Sequence, residues 1–336
     1  MSSRTTTKVA APERRKVGLV ASGKINMLAP YIILLVLLLI WAAKFPGLFV
    51  GSPGALSSLN LWIPTAMTLA LAATAQTLVV QSGGIDLSIG GVMSLTAAIF
   101  VTRGWSSLAE CIMWFVICVV VGALCGAFNG VIVAYLKLES FVVTLATWSI
   151  LSGIALLLVP IPGGDVPEWF TKSFSDKPLV LSWGVFLFIG LILFAIWFRR
   201  IRLGISIRAL GSDRTGAFLS GVPIRRTTVT TFMLSGALAA LAGLYLAWKT
   251  GTAASDMGDP YILWSIAAVV IGGTSLAGGK GGIGGSLVGT LIVTIIAPII
   301  FAFGLPDFLK ALVIGLILII AVVSSAALDA YARRTR

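Results

Sequence analysis

The chain has 336 residues, 58% of them hydrophobic and 11% charged, with a formal net charge of +12 and no histidine. A soluble domain carries about 25% charged residues, so a solvated surface is excluded and a bilayer is the medium that suits this composition. The basic excess has no polar domain to occupy, which excludes nucleic-acid binding, and the lack of His removes most zinc sites, catalytic triads and His proton relays.

Residues 1–27 are polar and basic, with Arg4, Lys8, Arg14, Arg15, Lys16 and Lys24, and read as a cytoplasmic segment. The apolar run Leu28–Ala43 follows. Its long polar lead and the absence of a small-x-small cleavage site predict a retained first helix rather than a signal peptide. Further apolar segments lie at about Leu56–Val80, Leu87–Val101, Leu108–Tyr135, Phe141–Val159, Leu179–Phe198, Thr227–Trp248, Tyr261–Ala277, Gly282–Phe303 and Asp307–Ala327. A spanning helix needs about 20 apolar residues, so the fold class is all-α, a polytopic integral membrane protein of about 10 transmembrane helices. The membrane domain covers residues 28–327 and a short tail covers 328–336. The segment after Asp86 is short and predicts a broken or partial span.

With the N-terminus inside, 18 of the 24 Lys and Arg residues fall on inside loops and ends, and 6 fall outside. This asymmetry follows the positive-inside rule. Both termini are then cytoplasmic, and the number of spans is even. Two loops stand out. The outer one, residues 160–178, carries Asp165, Glu168 and Trp169. The inner one, residues 199–226, carries seven arginines and no lysine. Cys111, Cys118 and Cys125 recur at seven-residue spacing in one apolar segment and read as packing residues, without metal-site spacing.

Four motifs bear on function. In Ser82-Gly83-Gly84-Ile85-Asp86-Leu87-Ser88, Asp86 is the carboxylate most deeply embedded in apolar sequence. An ionisable group there needs a partner or water. Either Asp86 lines a solute path, or Asp86 and Ser88 cap the helix that starts near Leu87. Gly83 and Gly84 permit unusual backbone angles. The string is echoed by Gly272-Gly273-Thr274-Ser275-Leu276-Ala277, 189 residues later. An internal repeat with broken helices is one reading of the echo; the frequency of glycine in membrane helices is the other. In the inner loop, Asp213–Gly221 reads as a short helix with Asp213 as N-cap, Gly221 as C-cap and Pro223 blocking extension. Its apolar Phe218, Leu219 and Val222 suit docking to a soluble partner or contact with lipid headgroups. Gly279-Lys280-Gly281-Gly282-Ile283-Gly284 matches G-x-G-x-x-G literally, but its flanks are membrane segments, so no nucleotide site is expected. Asn129, in Gly126–Gly130, needs a hydrogen-bonding partner inside its span or access to water.

Taken in order, Ser82–Ser88, Asn129-Gly130, Phe141–Leu145, the Ala209–Val222 loop and Val270–Thr274 resemble the permease subunits of bacterial ABC importers for monosaccharides, of the ribose, arabinose and xylose type. The likeness covers residues 28–325. It implies about ten helices and two permease copies, identical or different. It also implies separate ATP-binding cassette subunits that hold ATP and Mg, a periplasmic sugar-binding protein, and residence in the bacterial inner membrane. In such importers a cytoplasmic coupling helix sits in a groove of the ATPase. The matching stretch here implies that role for Asp213, Arg214, Ala217, Phe218, Leu219 and Gly221. The family often has Asn at Asp213, Ala at Gly216 and Pro at Ser140, so this chain departs from it there.

The leading reading is a path for a neutral sugar or polyol in a chain that performs no chemistry and binds no cofactor. Such a solute needs hydroxyl and amide contacts rather than fixed charge. The candidates for the path are Gln76, Asp86, Ser88, Asn129, Thr144, Thr147 and Trp148, with Gly83, Gly84, Gly272 and Gly273 as structural glycines. A nucleoside or branched-chain amino-acid importer is the nearest alternative. An ion-coupled secondary transporter is more distant, since it normally needs intramembrane carboxylates or His.

Overall fold

The computed structural model describes residues 16–44 and 52–304, with scattered positions between 306 and 319. Residues 1–15 of the basic segment, most of the last expected span at Asp307–Ala327 and the tail 328–336 lie outside the described residues. Among the described residues the chain is helical throughout, with one isolated bridge between Gly163 and Ala253. In order the helices are α1 (Lys16–Lys44), α2 (Ser52–Gln81), α3 (Ser88–Val101), α4 (Leu108–Val131), α5 (Ser140–Leu158), α6 (Glu168–Ser175), α7 (Trp183–Phe198), α8 (Arg202–Ser212), α9 (Arg214–Leu219), α10 (Ile224–Thr250), α11 (Asp259–Ile271) and α12 (Ile283–Ala302).

Five stretches are long and apolar enough to cross a bilayer: Leu56–Gln81, Leu108–Leu136, Ser140–Leu158, Ile224–Thr250 and Ile283–Ile300. A sixth candidate joins α7 to α8 across a 70° bend. Three shorter apolar helices, Leu28–Lys44, Ser88–Val101 and Asp259–Ile271, fall where three further spans were expected. Backbone polar groups have no water to bond with inside a bilayer, so a helical architecture is the natural outcome of these sequences.

Helices α2, α3 and α10 form the centre. In α3 every residue from Ser88 to Val101 except Ile99 is buried, although the helix is apolar all round. That pattern belongs to a helix enclosed by protein. The tightest crossing joins α4 to α10. Side chains on Gly122, Gly126 and Gly236 would run into backbone of the facing helix, so these glycines permit the approach. Gly122, Gly126 and Gly130 recur every four residues on one face of α4, the small-residue spacing that brings membrane helices together. Helix α4 starts on a capping box: Ser107 Oγ accepts from Glu110 N, and the Glu110 carboxylate accepts from Ser107 N.

The loop at 160–178 folds back over one end of this centre. Its helix α6 seats Phe170 and Phe174 among aromatic rings. Phe170 lies 5.0 Å from Trp105, and Phe174 lies 5.2 Å from Trp248, between ring centroids. Trp248 Nε1 donates to Phe170 O at 2.9 Å.

The loop at 199–226 departs from expectation. Sequence reading placed one short helix in it, but Arg202–Ser212 is helical as well. Its buried Ile207 and Leu210, three residues apart, hold one face against the bundle while the arginines flank it. The expected segment Tyr261–Ala277 also ends early, at Ile271, because Gly272 and Gly273 turn the chain.

Candidate functional site

The break between α2 and α3 is a helix terminus built by glycine. Gly83 has φ +89°, a left-handed angle that costs an ordinary residue about 1–2 kcal/mol. With Gly83 turned this way, its N–H donates to Val80 O at 3.0 Å and Gly84 N–H donates to Val79 O at 3.0 Å. This double closure is a Schellman cap. The break after α11 repeats it: Gly273 has φ +83°, its N–H donates to Val270 O at 2.9 Å, and Thr274 N–H donates to Val269 O at 3.1 Å. The equivalent residues are therefore Gly83 and Gly273. The sequence echo paired Gly83 with Gly272 and was one residue out of register.

Past the first break the chain runs Ile85-Asp86-Leu87 before α3 begins at Ser88, one residue later than expected. Its backbone donors are taken up by α5. Ile85 N–H donates to Ser140 Oγ at 3.0 Å, and Leu87 N–H donates to Thr144 Oγ1 at 3.0 Å. Thr144 Oγ1 in turn donates to Ser140 O at 2.8 Å.

Asp86 is buried and accepts three hydrogen bonds. Oδ1 receives Ser88 N at 3.0 Å and Ser88 Oγ at 2.6 Å; Oδ2 receives Ser235 Oγ, on α10, at 2.7 Å. The Ser88 N–H bond ties up a free amide of the first turn of α3. The network continues outward. Asn129 Nδ2, on α4, donates to Ser88 Oγ at 2.9 Å, and Thr147 Oγ1, on α5, donates to Asn129 Oδ1 at 2.5 Å. Each donor in the sequence Thr147, Asn129, Ser88 points toward the carboxylate. In a dry interior such a run strengthens each member. Five expected site residues, Asp86, Ser88, Asn129, Thr144 and Thr147, thus meet in one place and tie together α3, α4, α5 and α10.

Two others lie apart from it. Trp148 donates from Nε1 to Asp259 Oδ1, at the start of α11, at 2.8 Å. Asp259 is a second partly buried carboxylate, so the embedded acidic inventory is not Asp86 alone. Gln76, on α2, is wholly buried, and neither atom of its amide has a hydrogen-bonding partner among the described residues. An unpartnered buried amide carries a desolvation cost of about 1–3 kcal/mol, which points to water or a solute beside it.

The second break is bonded to the first. Gly279 N–H donates to Gln81 O at 3.0 Å, Gln81 Nε2 donates to Gly281 O at 2.9 Å, and Thr77 Oγ1 donates to Ser286 Oγ at 2.7 Å. The last turn of α8 closes the junction from a third direction. A side chain on Gly211 would collide with Gln81 O and Gly279 N, and one on Gly278 would meet Gly211 and Gly83. The backbone of α8 therefore meets the first break and the loop that follows the second. Gly272 plays a different part, lying against the Gly285 backbone where α11 packs on α12.

From Ser212 the chain passes directly into α9. Asp213 Oδ1 accepts Thr215 N–H at 3.0 Å as N-cap. Gly221, with φ +80°, closes the helix, its N–H donating to Phe218 O and Val222 N–H to Ala217 O, both at 3.0 Å. Ala217 is buried beneath, while Arg214, Phe218 and Leu219 are exposed. The glycine-rich loop Gly278–Gly282 follows a helix rather than a strand, which removes the βαβ context of a dinucleotide site.

Sequence reading missed Ser140, Ser235, Gln81, Gly211 and Asp259. Ser235 lies 149 residues from Asp86, and no local pattern announces the pair.

The family described as branched-chain amino acid transport system / permease component matches residues 58–322. A fructose import permease protein of Bifidobacterium longum is 30% identical over 335 residues, covering 96% of each chain. A fructose import permease protein of Rhizobium meliloti is 33% identical over 321 residues, covering 91% of this chain and 85% of that one. The ribose import permease protein of Escherichia coli K12 is 32% identical over 262 residues, covering 75% and 80%. No solved structure matches the chain.

Proposed function

The chain belongs to this family of transport-system permease components, and from that premise we propose that it forms the translocation path of an ATP-driven importer for a neutral sugar or polyol. Relatives named as fructose and ribose import permeases support the solute class. So does the embedded chemistry. Hydroxyls and amides dominate it, and no cation pairs with Asp86 among the described residues. The branched-chain reading rests on the family's description alone.

Hydrolysis of ATP with Mg takes place on a partner cassette subunit, and a periplasmic binding protein delivers the solute to the other face. The chain lies in the bacterial inner membrane with about ten spans and a second permease copy beside it; the distribution of Lys and Arg supports an even number of spans with both termini in the cytoplasm. In this setting α9 is the coupling helix. The observation that carries the mechanism is the junction at Gly211: motion of α9 passes through α8 into the backbone of the first helix break and of the loop that follows the second. The hydrogen-bonded run around Asp86 holds α3, α4, α5 and α10 as one body. The breaks are the places where α2 and α11 pivot against it. A two-state path needs such discrete joints, because packed helices do not deform continuously.

Proteoliposomes holding the permease with its cassette subunit and binding protein test the proposal. Phe218→Ala is expected to lower solute-stimulated ATPase activity and ATP-dependent uptake of labelled monosaccharide together, with the fold intact. Uptake at the wild-type rate would remove α9 from the coupling role. Uptake driven by an ion gradient with no ATPase present would replace the whole reading with a secondary transporter.

A further inference from the structure

A groove of about 750 Å³ opens where α4 ends, beside α9 and the start of α10. Four cationic side chains line it: Lys137, Arg214, Arg225 and Arg226. No carboxylate lines it, and none of the four forms an ion pair among the described residues. Arg225 instead packs over the Tyr135 ring, 5.1 Å from its centroid. The rest of the wall is mostly apolar, with Phe218, Val222 and Ile224, and holds the Thr215 hydroxyl.

The position of the groove is fixed by the helices around it. The span of α4 leaves through a π turn, Ile132–Leu136, and Lys137 takes the left-handed angle φ +57°. Helix α5 restarts at Ser140, and α10 begins at Ile224. Three long apolar helices thus end or begin at one level, which is a membrane boundary whichever side it faces. Above the groove a stripe of α4 is exposed: Leu124 (63%), Phe128 (59%), Val131 (46%) and Tyr135 (53%). Their spacing of four, three and four residues puts them on one face. Cations without counter-ions at a membrane boundary, continuing into an apolar track along a span, match a ligand with an anionic head and a long apolar tail. A soluble phosphate compound has no use for the track. An acidic segment of a protein has little use for a track running into the bilayer.

We propose that this groove is a binding site for an anionic phospholipid, its phosphate held by Arg225, Arg226 and Lys137 and one acyl chain lying along Leu124, Phe128 and Val131. Basic pockets between spans at the membrane surface hold acidic headgroups by charge and hydrogen bonding together. Arg214 and Phe218 of α9 only border the groove and, with the exposed Leu219, are left to the cassette subunit.

Native mass spectrometry of the full-length permease, exchanged into mixed micelles with equimolar dioleoyl-phosphatidylglycerol and dioleoyl-phosphatidylcholine, tests this. One phosphatidylglycerol per chain is expected to be retained in preference. Arg225→Gln/Arg226→Gln should lower its retention at least about tenfold, since each juxtamembrane cation contributes about 1 kcal/mol. The Lys/Lys double variant should keep most of it, and Phe128→Ser should lower it with all four cations intact. All of these residues are exposed, and circular dichroism checks that each variant is folded. Equal retention of both lipids, an unchanged double variant, or displacement of the lipid by soluble glycerol phosphate would overturn the proposal. So would a double variant that loses affinity only for the cassette subunit while phosphatidylglycerol retention stands. Because lipid retention is read on the permease alone, a failure here is separate from any failure of the transport reading.

Discussion

Replacing Asp86 separates the work of its two oxygens. Asp86→Ala removes the acceptor for Ser88 N–H, Ser88 Oγ and Ser235 Oγ at once. The Ser235 hydroxyl can recover, because it lies within α10 and can turn to the carbonyl one turn back, whereas Ser88 Oγ keeps Asn129 as its donor but loses its own acceptor. The Ser88 amide cannot recover. It belongs to the first turn of α3, has no carbonyl of its own helix to reach, and is buried away from water. One orphaned buried amide costs about 1–3 kcal/mol, and the lost carboxylate leaves a small void besides, so the total is about 2–4 kcal/mol. Asp86→Asn keeps an oxygen for both Ser88 donors and offers an NH₂ to Ser235, which then accepts. One N–H of the new amide is left over, and the cost falls to about 1 kcal/mol. Equilibrium unfolding in mixed SDS micelles, followed by tryptophan fluorescence, gives the comparison, with transport measured in parallel. A cycle between Asp86→Asn and Ser235→Ala should show coupling of about 0.5–1.5 kcal/mol, since the two side chains touch. If Asp86→Ala is as stable as the parent, or Asn costs as much as Ala, the reasoning fails. A stable Asp86→Asn protein that no longer transports would instead assign the carboxylate to the solute path.

Gln76→Leu is expected to hold or raise stability, because it removes an amide with no partner, and to lower monosaccharide uptake several-fold; unchanged uptake would take Gln76 off the path. Gly211→Val should part the two helix breaks, so that the ATPase of the assembled complex still turns over while uptake is lost. Gly153→Ala, with open space around the new methyl, is the matched control and should behave as the parent in both assays. Ser107→Ala should cost about 1 kcal/mol in the same micelle unfolding measurement by opening the capping box of α4, with transport intact.

Several parts of the site were legible before any coordinates. Of the two readings the sequence left open for Asp86, the cap is met in part: its Oδ1 accepts the Ser88 N–H, but Leu87 holds the N-cap position of α3 and makes no side-chain cap bond. Asp213 and Gly221 mark the ends of α9, because capping is a matter of four neighbouring residues. The partners reached across the bundle were not legible. Ser140 stands where the resembled family often has Pro, yet its hydroxyl accepts the Ile85 amide, a use no local pattern predicts. Trp148 read as a path residue, and its indole is bonded to Asp259, 111 residues away. Helix α8 was hidden by its own arginines, since charge on one side of a short helix masks an apolar face that becomes visible only against the bundle.

The sequence by itself determined that this chain belongs in a bilayer, roughly where its spans lie, where its positive charge collects and which residues end its helices. Those properties follow from local composition and from the chemistry of a few adjacent residues. Only the tertiary structure decided which polar groups satisfy each other, that the break after α2 and the loop following α11 meet at one junction with α8, and that the Gln76 amide has no partner among the described residues. Inside a bilayer most helices are apolar on every face, so the pattern that would specify their neighbours is faint. Neighbours are chosen by glycines that allow close approach and by a few buried polar groups that must find one another.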